Sequence, residues 1–367
     1  MQKKRCIFTV IILERYLMNQ RKYKSKEAKG FFDEALRLEK LTKQNDPLVK
    51  LNEKIEFEKF RAILEESLEQ ENKGKGGAKP YDYVMMFKIL ILQRYYNISD
   101  DKMEYQVLDR LSFMRFLRLG LEDKVPDAKT IWLFREKLTK KNIVEKLFIM
   151  FLEELKKQGI LANEGKLIDA SFVEVPIQRN SREENKKIKE GEVPENWQEK
   201  PNKLSQKDID ARWTKKNGRS YYGYKAHIKA DSKSKLIENY TVTDASLHDS
   251  QETENLLSEK DKGQSLHADS AYRSEEITKL LVEHEIENQI HEKGYRNKPL
   301  TEEQKASNRI KSKTRARVEH VFGFMEQSMN GLYLRSVGIV RATSIIGLIN
   351  LSYNLFRYEQ VVRLNIL

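Results

Sequence analysis

Cysteine is almost missing from this chain. A single Cys6 among 367 residues excludes an intramolecular disulfide and any cysteine-based zinc site, and it fits a reducing compartment. The six histidines show no i, i+4 pair of the zinc-helix kind. No run approaches the roughly 18 apolar residues of a membrane span, and no internal repeat is visible. The start, MQKKRCIFTVIILERYL, imitates a signal peptide. It lacks the small-residue cleavage site, because Glu14, Arg15 and Tyr16 follow the short apolar run. Met18 is a natural alternative start, so residues 1–18 read as an extension or disordered tail.

What the chain has is positive charge. Lys and Arg number 68 against 56 Asp and Glu, a net +12, and the pI near 9.3 favours a polyanionic partner. The mean hydropathy of −0.71 is low, yet aromatic and aliphatic runs recur to the C-terminus and allow a sizeable core. The length suits two domains.

Residues 19–160 read as helical. Asn72–Lys79 (NKGKGGAK) is a Gly/Lys linker. Ser99 with Asp100 and Asp101 caps a helix expected to run to Leu119. Pro126-Asp127 opens a helix over Ala128–Lys141, and another spans Ile143–Gln158 before Gly159. Such an array holds either a helix-turn-helix, with Lys129, Thr130 and Arg135 on its reading helix, or a plain bundle with a basic face. From residue 161 strands begin: Lys166–Val175, Tyr221–Asp231, Leu236–Thr243, Ser265–Asp269 and Glu287–His291. The charge-dense stretch 177–220 reads as a polar insertion, a long or partly ordered loop. Strands followed by alternating helix and strand give a mixed α/β sheet with helices on its faces.

Three acids stand out. Asp169 lies mid-strand among Leu167, Ile168, Phe172 and Val173, where a carboxylate is costly unless paired or ligating. Asp269 closes a strand, at the edge where open α/β sheets bind ligands. Glu319 shares a helix face with Arg315 and Gly323; Arg315 could hold a phosphate, and the small Gly323 admits a close approach. At 4–5 Å such acids repel by about 3–4 kcal/mol per pair. With Mg2+ or Mn2+ they form an oxygen-ligand site. A hard-cation site in so basic a chain points to a phosphodiester.

Further candidates surround them. Lys225 and His227 share one strand face, which either lines a DNA cleft or is solvated. His248, beside Asp249, either orients a catalytic or phosphate group or caps a loop. Trp213 either stacks on an unpaired base or anchors the insertion. Lys305, Arg309, Lys311, Lys313, Arg315 and Arg317 form a basic run without an acid, abutting Glu319 and suited to a DNA backbone.

Jointly, LIDASFVEVP, TVTDASLHDS, ADSAY and RARVEHVFGFME, with the helical segment PYDYVMMFKILILQRYYNISDDKMEYQVLDRLSFMRFL, resemble the DDE transposases of bacterial insertion sequences, specifically the insertion sequence five family. The resemblance covers about residues 30–360. It implies a ribonuclease-H-like catalytic domain over 161–367, preceded by an all-α DNA-recognition domain. It maps the catalytic, metal-binding acids onto Asp169, Asp269 and Glu319, with two Mg2+ or Mn2+ ions. It further implies terminal inverted repeats and target DNA as partners, a homodimer on DNA, and a bacterial cytoplasmic, nucleoid-associated location. No membrane and no small-molecule substrate is expected. Related families place a Tyr and a Lys where Ser312 and Glu326 stand here; only Arg315 fits their phosphate-binding pattern. A stand-alone metal-dependent nuclease and an idle DNA-binding descendant are the alternatives.

Overall fold

The computed structural model of the protein describes residues 30, 32–68, 79–216, 218–296 and 298–366. The expected N-terminal extension and nearly all of the Gly/Lys linker lie outside them. Residues up to Asp46 form a unit of their own, in which helix α1 (Asp33–Lys43) buries none of its side chains.

The second unit begins with seven helices: α2 (Pro47–Lys54), α3 (Arg61–Leu68), α4 (Tyr83–Tyr95), α5 (Asp100–Asp109), α6 (Leu111–Leu117), α7 (Ala128–Lys140) and α8 (Ile143–Lys157). Asp82 starts α4, its carboxylate accepting the Met85 N–H at 2.8 Å. The single helix expected from Ser99 to Leu119 is two. Arg110 between them is extended (φ −108°, ψ 106°), and the turn it makes lets α6 bury Phe113 and Phe116.

Next come β1 (Lys166–Glu174), the short helices α9 (Arg182–Lys189), α10 (Glu195–Gln198) and α11 (Pro201–Leu204), then β2 (Arg212–Lys216), β3 (Arg219–Asp231) and β4 (Ile237–Asp244). They are followed by α12 (Thr253–Leu256), β5 (Ser265–His267), α13 (Glu275–Glu283) and β6 (Glu287–Asn288). The chain ends with α14 (Glu302–Arg315), α15 (Arg317–Gly323), a π-helical turn at Phe324–Ser328, and α16 (Ile339–Leu364). In the sheet, β1 lies between antiparallel β3 and parallel β5. Beyond them, β4 pairs antiparallel with β3 and β6 parallel with β5. Four antiparallel strands, β2 pairing with the start of β3, are extended by two parallel ones; with helices on the faces they form the ribonuclease-H-like mixed sheet that was expected.

Pleating decides what each face carries. Leu167, Asp169, Ser171 and Val173 share one face with their β3 partners Ala230, Ile228, Ala226 and Tyr224. Most of this face is core, continuous with the helices. The opposite face packs Ile168 with Leu256, Leu266, Leu281 and Ile290 in a smaller cluster.

Helix α16 joins the two halves of this unit. It packs on α2, α4, α7, α8 and β4, and Tyr95 stacks on Phe356 with ring centroids 3.5 Å apart. The buried Asn354 side chain accepts the Ile237 N–H (2.9 Å) and donates to its carbonyl (2.8 Å), as a neighbouring strand would. Asp208 and Asp210 accept the Gly338 and Ile339 N–H groups at the helix start. By length and hydropathy α16 could cross a membrane, but 78% of that window is buried in the fold. One hydrophobic cluster runs from Leu48 to Tyr358, so packing draws no boundary at residue 160.

The polar stretch 177–220 is not a loop. Its helices fold around Trp197, which is fully buried and donates its indole N–H to Glu184 at 2.6 Å. Its end supplies β2 and the first residues of β3.

Gly223 is where β3 meets both Glu174 of β1 and Arg212 of β2. Its φ is +146°, and a Cβ there would collide with the Val173 carbonyl oxygen and crowd the Val175 nitrogen at 3.1 Å. Gly223→Ala is expected to destabilise the protein by about 2–4 kcal/mol from backbone strain plus overpacking. A thermal melt within a degree of the parent would contradict this register.

Candidate active site

Asp169 sits mid-way along β1, the central strand, at the point where its edge toward β5 becomes free: β5 pairs only with Lys166 and Leu167. Asp269 follows β5 and caps the next turn, accepting the Ala271 N–H at 2.7 Å. Alternation along β5 puts it on the same sheet face as Asp169. Glu319 lies on α15, which packs against β1. All three line one cavity of about 460 Å3, together with Ser171, Lys216, Ser270, His291, Arg315, Gly323 and Glu326. The three acids, distant in sequence, thus share one cavity.

Their closeness is limited. Among the described residues, no group of three acidic or histidine side chains is near enough to grip one ion. The Arg315 guanidinium instead bridges two of them, 2.9 Å from Glu319 and 3.6 Å from Asp169. Burial pushes the Asp169 carboxyl up to about 7; Asp269 and Glu319 push the same way, against the Ala170 N–H and Arg315. The donors are all hard carboxylate oxygens, with more negative charge than one arginine balances. That set suits a divalent cation of the Mg2+ or Mn2+ type.

The other sequence-based candidates divide. Lys225 and His227 lie on the face opposite Asp169, since they pair with Phe172 and Ala170, and both are buried. Lys225 binds Asp249 at 2.7 Å and the Leu247 carbonyl at 2.5 Å. His227 shares a hydrogen bond with Thr243 at 2.8 Å, and burial pushes its pKa down to about 4. Neither borders the cavity, contrary to expectation. His248 is exposed and caps the turn at Asp249–Glu252, its Nδ1 2.7 Å from the Ser250 hydroxyl. In the basic run, Lys311 donates to the Ile290 carbonyl at 2.9 Å and pairs with Glu292, while Arg317 donates to the Ser232 carbonyl at 2.9 Å. These two brace the fold, whereas Lys313 stays exposed. Arg135 is locked bidentately on Asp100 at 2.7 and 2.6 Å and cannot read a groove from there. Lys129 remains exposed on the first turn of α7. Trp213, half-exposed, tilts against Tyr222 at 5.0 Å.

Lys216, His291 and Tyr272 escaped the sequence reading. Tyr272 is buried with no hydrogen-bond partner for its hydroxyl; burial and the charges of Asp169, Asp249 and Asp269 hold its proton far more tightly than usual. Its place three residues after Asp269, in ADSAY, was the available signal.

Two family models match the chain. "Transposase domain (DUF772)" covers residues 36–137, and "Transposase DDE domain" covers residues 161–355. Among solved structures the chain is similar to a piggyBac transposase, seen by cryo-EM in a synaptic complex with hairpin DNA. The identity is 14%, the match covers 87% of this chain and 76% of that one, and the TM-score is 0.45.

The raised Asp169 pKa makes stability depend on pH. Its folded value, about 7, exceeds its unfolded 3.8, so the folded state keeps its proton longer. The stability from this group is full below about pH 4 and is lost as pH rises through 7. In chelator, Asp169→Asn should therefore be more stable than the parent at pH 8, by roughly 2–4 kcal/mol, with little difference at pH 4. Denaturant melts at both pH values measure this; a variant weaker than the parent at pH 8 refutes the assignment.

Proposed function

The chain belongs to the transposase DDE domain family, and on that premise we propose that it is an insertion-sequence transposase that cuts and joins DNA at the Asp169–Asp269–Glu319 cavity. The observation that carries this reading is the convergence of three acids, from β1, from the turn after β5 and from α15, on one cavity in a chain of net charge +12.

Asp169, Asp269 and Glu319 would hold two divalent cations, Mg2+ or Mn2+. When bound, such ions lower the pKa of an attacking water and stabilise the departing 3′ oxygen. The chain's own residues do the rest. The carboxylates, anchored on β1, on the turn after β5 and on α15, would fix where the ions sit and so where a phosphate could bind. Arg315, held on Glu319 and Asp169, offers a guanidinium that can move from acid to phosphate as charge enters the cavity. Burial of Asp169 excludes bulk water and strengthens each of these interactions. After cleavage the freed 3′ hydroxyl occupies the same cavity and attacks target DNA, so no covalent protein–DNA intermediate is required.

The helical region takes the terminal inverted repeats. Lys129, on the exposed first turn of α7, is better placed for this than Arg135. We read the source element as a bacterial insertion sequence of family five, acting as a dimer on DNA in the cytoplasm.

Asp269→Asn keeps the shape and the Ala271 cap while removing one charge from the cavity. Cleavage should fall at least about a thousandfold, since a metal site supplies several kcal/mol, while binding of terminal-repeat DNA persists. Gel shift and cleavage on one preparation decide it; full cleavage would remove Asp269 from the chemistry.

A further inference from the structure

The hairpin of β2 and β3 runs past the end of β1 beside the acidic cavity, and Lys216 at its tip is among the cavity's lining residues. The Lys216 ammonium lies 5.7 Å from the centre of the Phe172 ring. Phe172 stacks on Tyr221, centroids 4.2 Å apart and rings inclined by 13°. The Arg219 guanidinium lies 4.9 Å from the centre of the Tyr221 ring. A ladder of cation, ring, ring and cation thus links the cavity-lining Lys216 to Arg219, and the buried Lys225 ammonium also lies 5.4 Å from the centre of the Phe172 ring.

Lys216 and Arg219 are also cross-strand partners, and both are exposed. Like charges opposite one another weaken a hairpin. Among the described residues, the ion pair made by these two is the exposed bond of Arg219 to Glu174 at 2.9 Å. An anion between the two would relieve the repulsion, and the rings already hold both head groups, so little side-chain freedom is lost when it arrives. A chain of phosphates with one member over the acids has its neighbours beyond the rim, where these cations stand.

We propose that the β2–β3 hairpin is a phosphate clamp, in which Lys216 and Arg219 grip the backbone of the DNA strand leaving the acidic cavity and the Phe172–Tyr221 stack positions them. This rests on the transposase reading and adds a strand contact that the acids do not supply. Glu174 is its competitor, since it holds Arg219 until phosphate replaces it.

The test uses full-length protein and a random-sequence duplex with a single-stranded extension, followed by fluorescence anisotropy over a salt series. K216Q/R219Q should flatten the slope of log affinity against log salt by about 1.4–1.8, two phosphate contacts at roughly 0.7–0.9 each. K216R/R219K should restore most of that slope. Glu174→Gln should tighten binding several-fold by freeing Arg219. If parent and K216Q/R219Q share one slope while the parent binds and cleaves, the clamp is overturned and the transposase reading stands. If Glu174→Gln leaves affinity unchanged or weakens it, the competitor role falls, and the clamp with it. A parent that shows no salt-dependent DNA binding overturns both.

Discussion

A carboxylate buried in the central strand is the constraint that organises this molecule's site. Asp169 is only 16% exposed, and burial is the largest of the causes that push its carboxyl up to about 7. Adding Asp269 and Glu319 around the same cavity compounds the difficulty, at about 3–4 kcal/mol of repulsion for each pair that closes to 4–5 Å. The fold answers with Arg315, one helical turn before Glu319, whose guanidinium reaches both Glu319 and Asp169. Asp269 spends one oxygen on the Ala271 N–H. Arg315 and Lys216 stand against four carboxyl groups once Glu326 is included, which leaves the cavity short of positive charge, the condition a divalent ion relieves. Site stability and site chemistry therefore oppose each other at Asp169.

The second organising feature is α16. It carries the apolar residues that the helices α2, α4, α7 and α8 need, and it also backs the sheet at β4. Its polar interruptions are spent on joints: Asn354 completes the edge at Ile237, and the helix start is tied to Asp208 and Asp210 at the end of the insertion. Asp208 also accepts the buried Tyr224 hydroxyl, so insertion, sheet and spine meet in one hydrogen-bonded knot. The helical region thus shares one hydrophobic core with the sheet that carries Asp169.

Apolar runs and alternation made the strands legible. LIDASFVEV is an apolar run around one Asp and YYGYKAHIKAD alternates with period two, and β1 and β3 lie on these segments. The three acids were legible for a related reason: each interrupts an apolar segment that would otherwise have no use for charge. Lys225 and His227 show the limit. Parity along β3 correctly set them on one face, but which face holds Asp169 depends on the pairing of Phe172 with Lys225, a fact of register between strands 50 residues apart in sequence. Arg135, Lys311 and Arg317 failed differently. A basic residue looks the same in sequence whether it ends on a carbonyl, a carboxylate or a phosphate. The insertion was misjudged because its core is only a few residues, Ile188 and Pro194 beside Trp197, closed by Glu184, and composition averages over so small a nucleus.

The lysines of the sheet show how a chain of net charge +12 makes a directed field from an undirected excess. Lys166, Lys225 and Lys229 are buried on one face, each paired with its own acid: Glu238, Asp249 and Asp261. A buried ion pair of this kind contributes little net stability, but removing one partner is costly, so these charges are fixed and nearly silent outside the protein. Along the same strands, where the sheet outgrows its cover of helices, the pattern changes. Lys216 and Arg219 face each other in the open, steadied by rings and answered, among the described residues, by a single exposed glutamate. Charge cancelled inside leaves the exposed rim beside the acids to carry more of the excess, and in the proposed clamp a polyanion would meet these cations before the carboxylates.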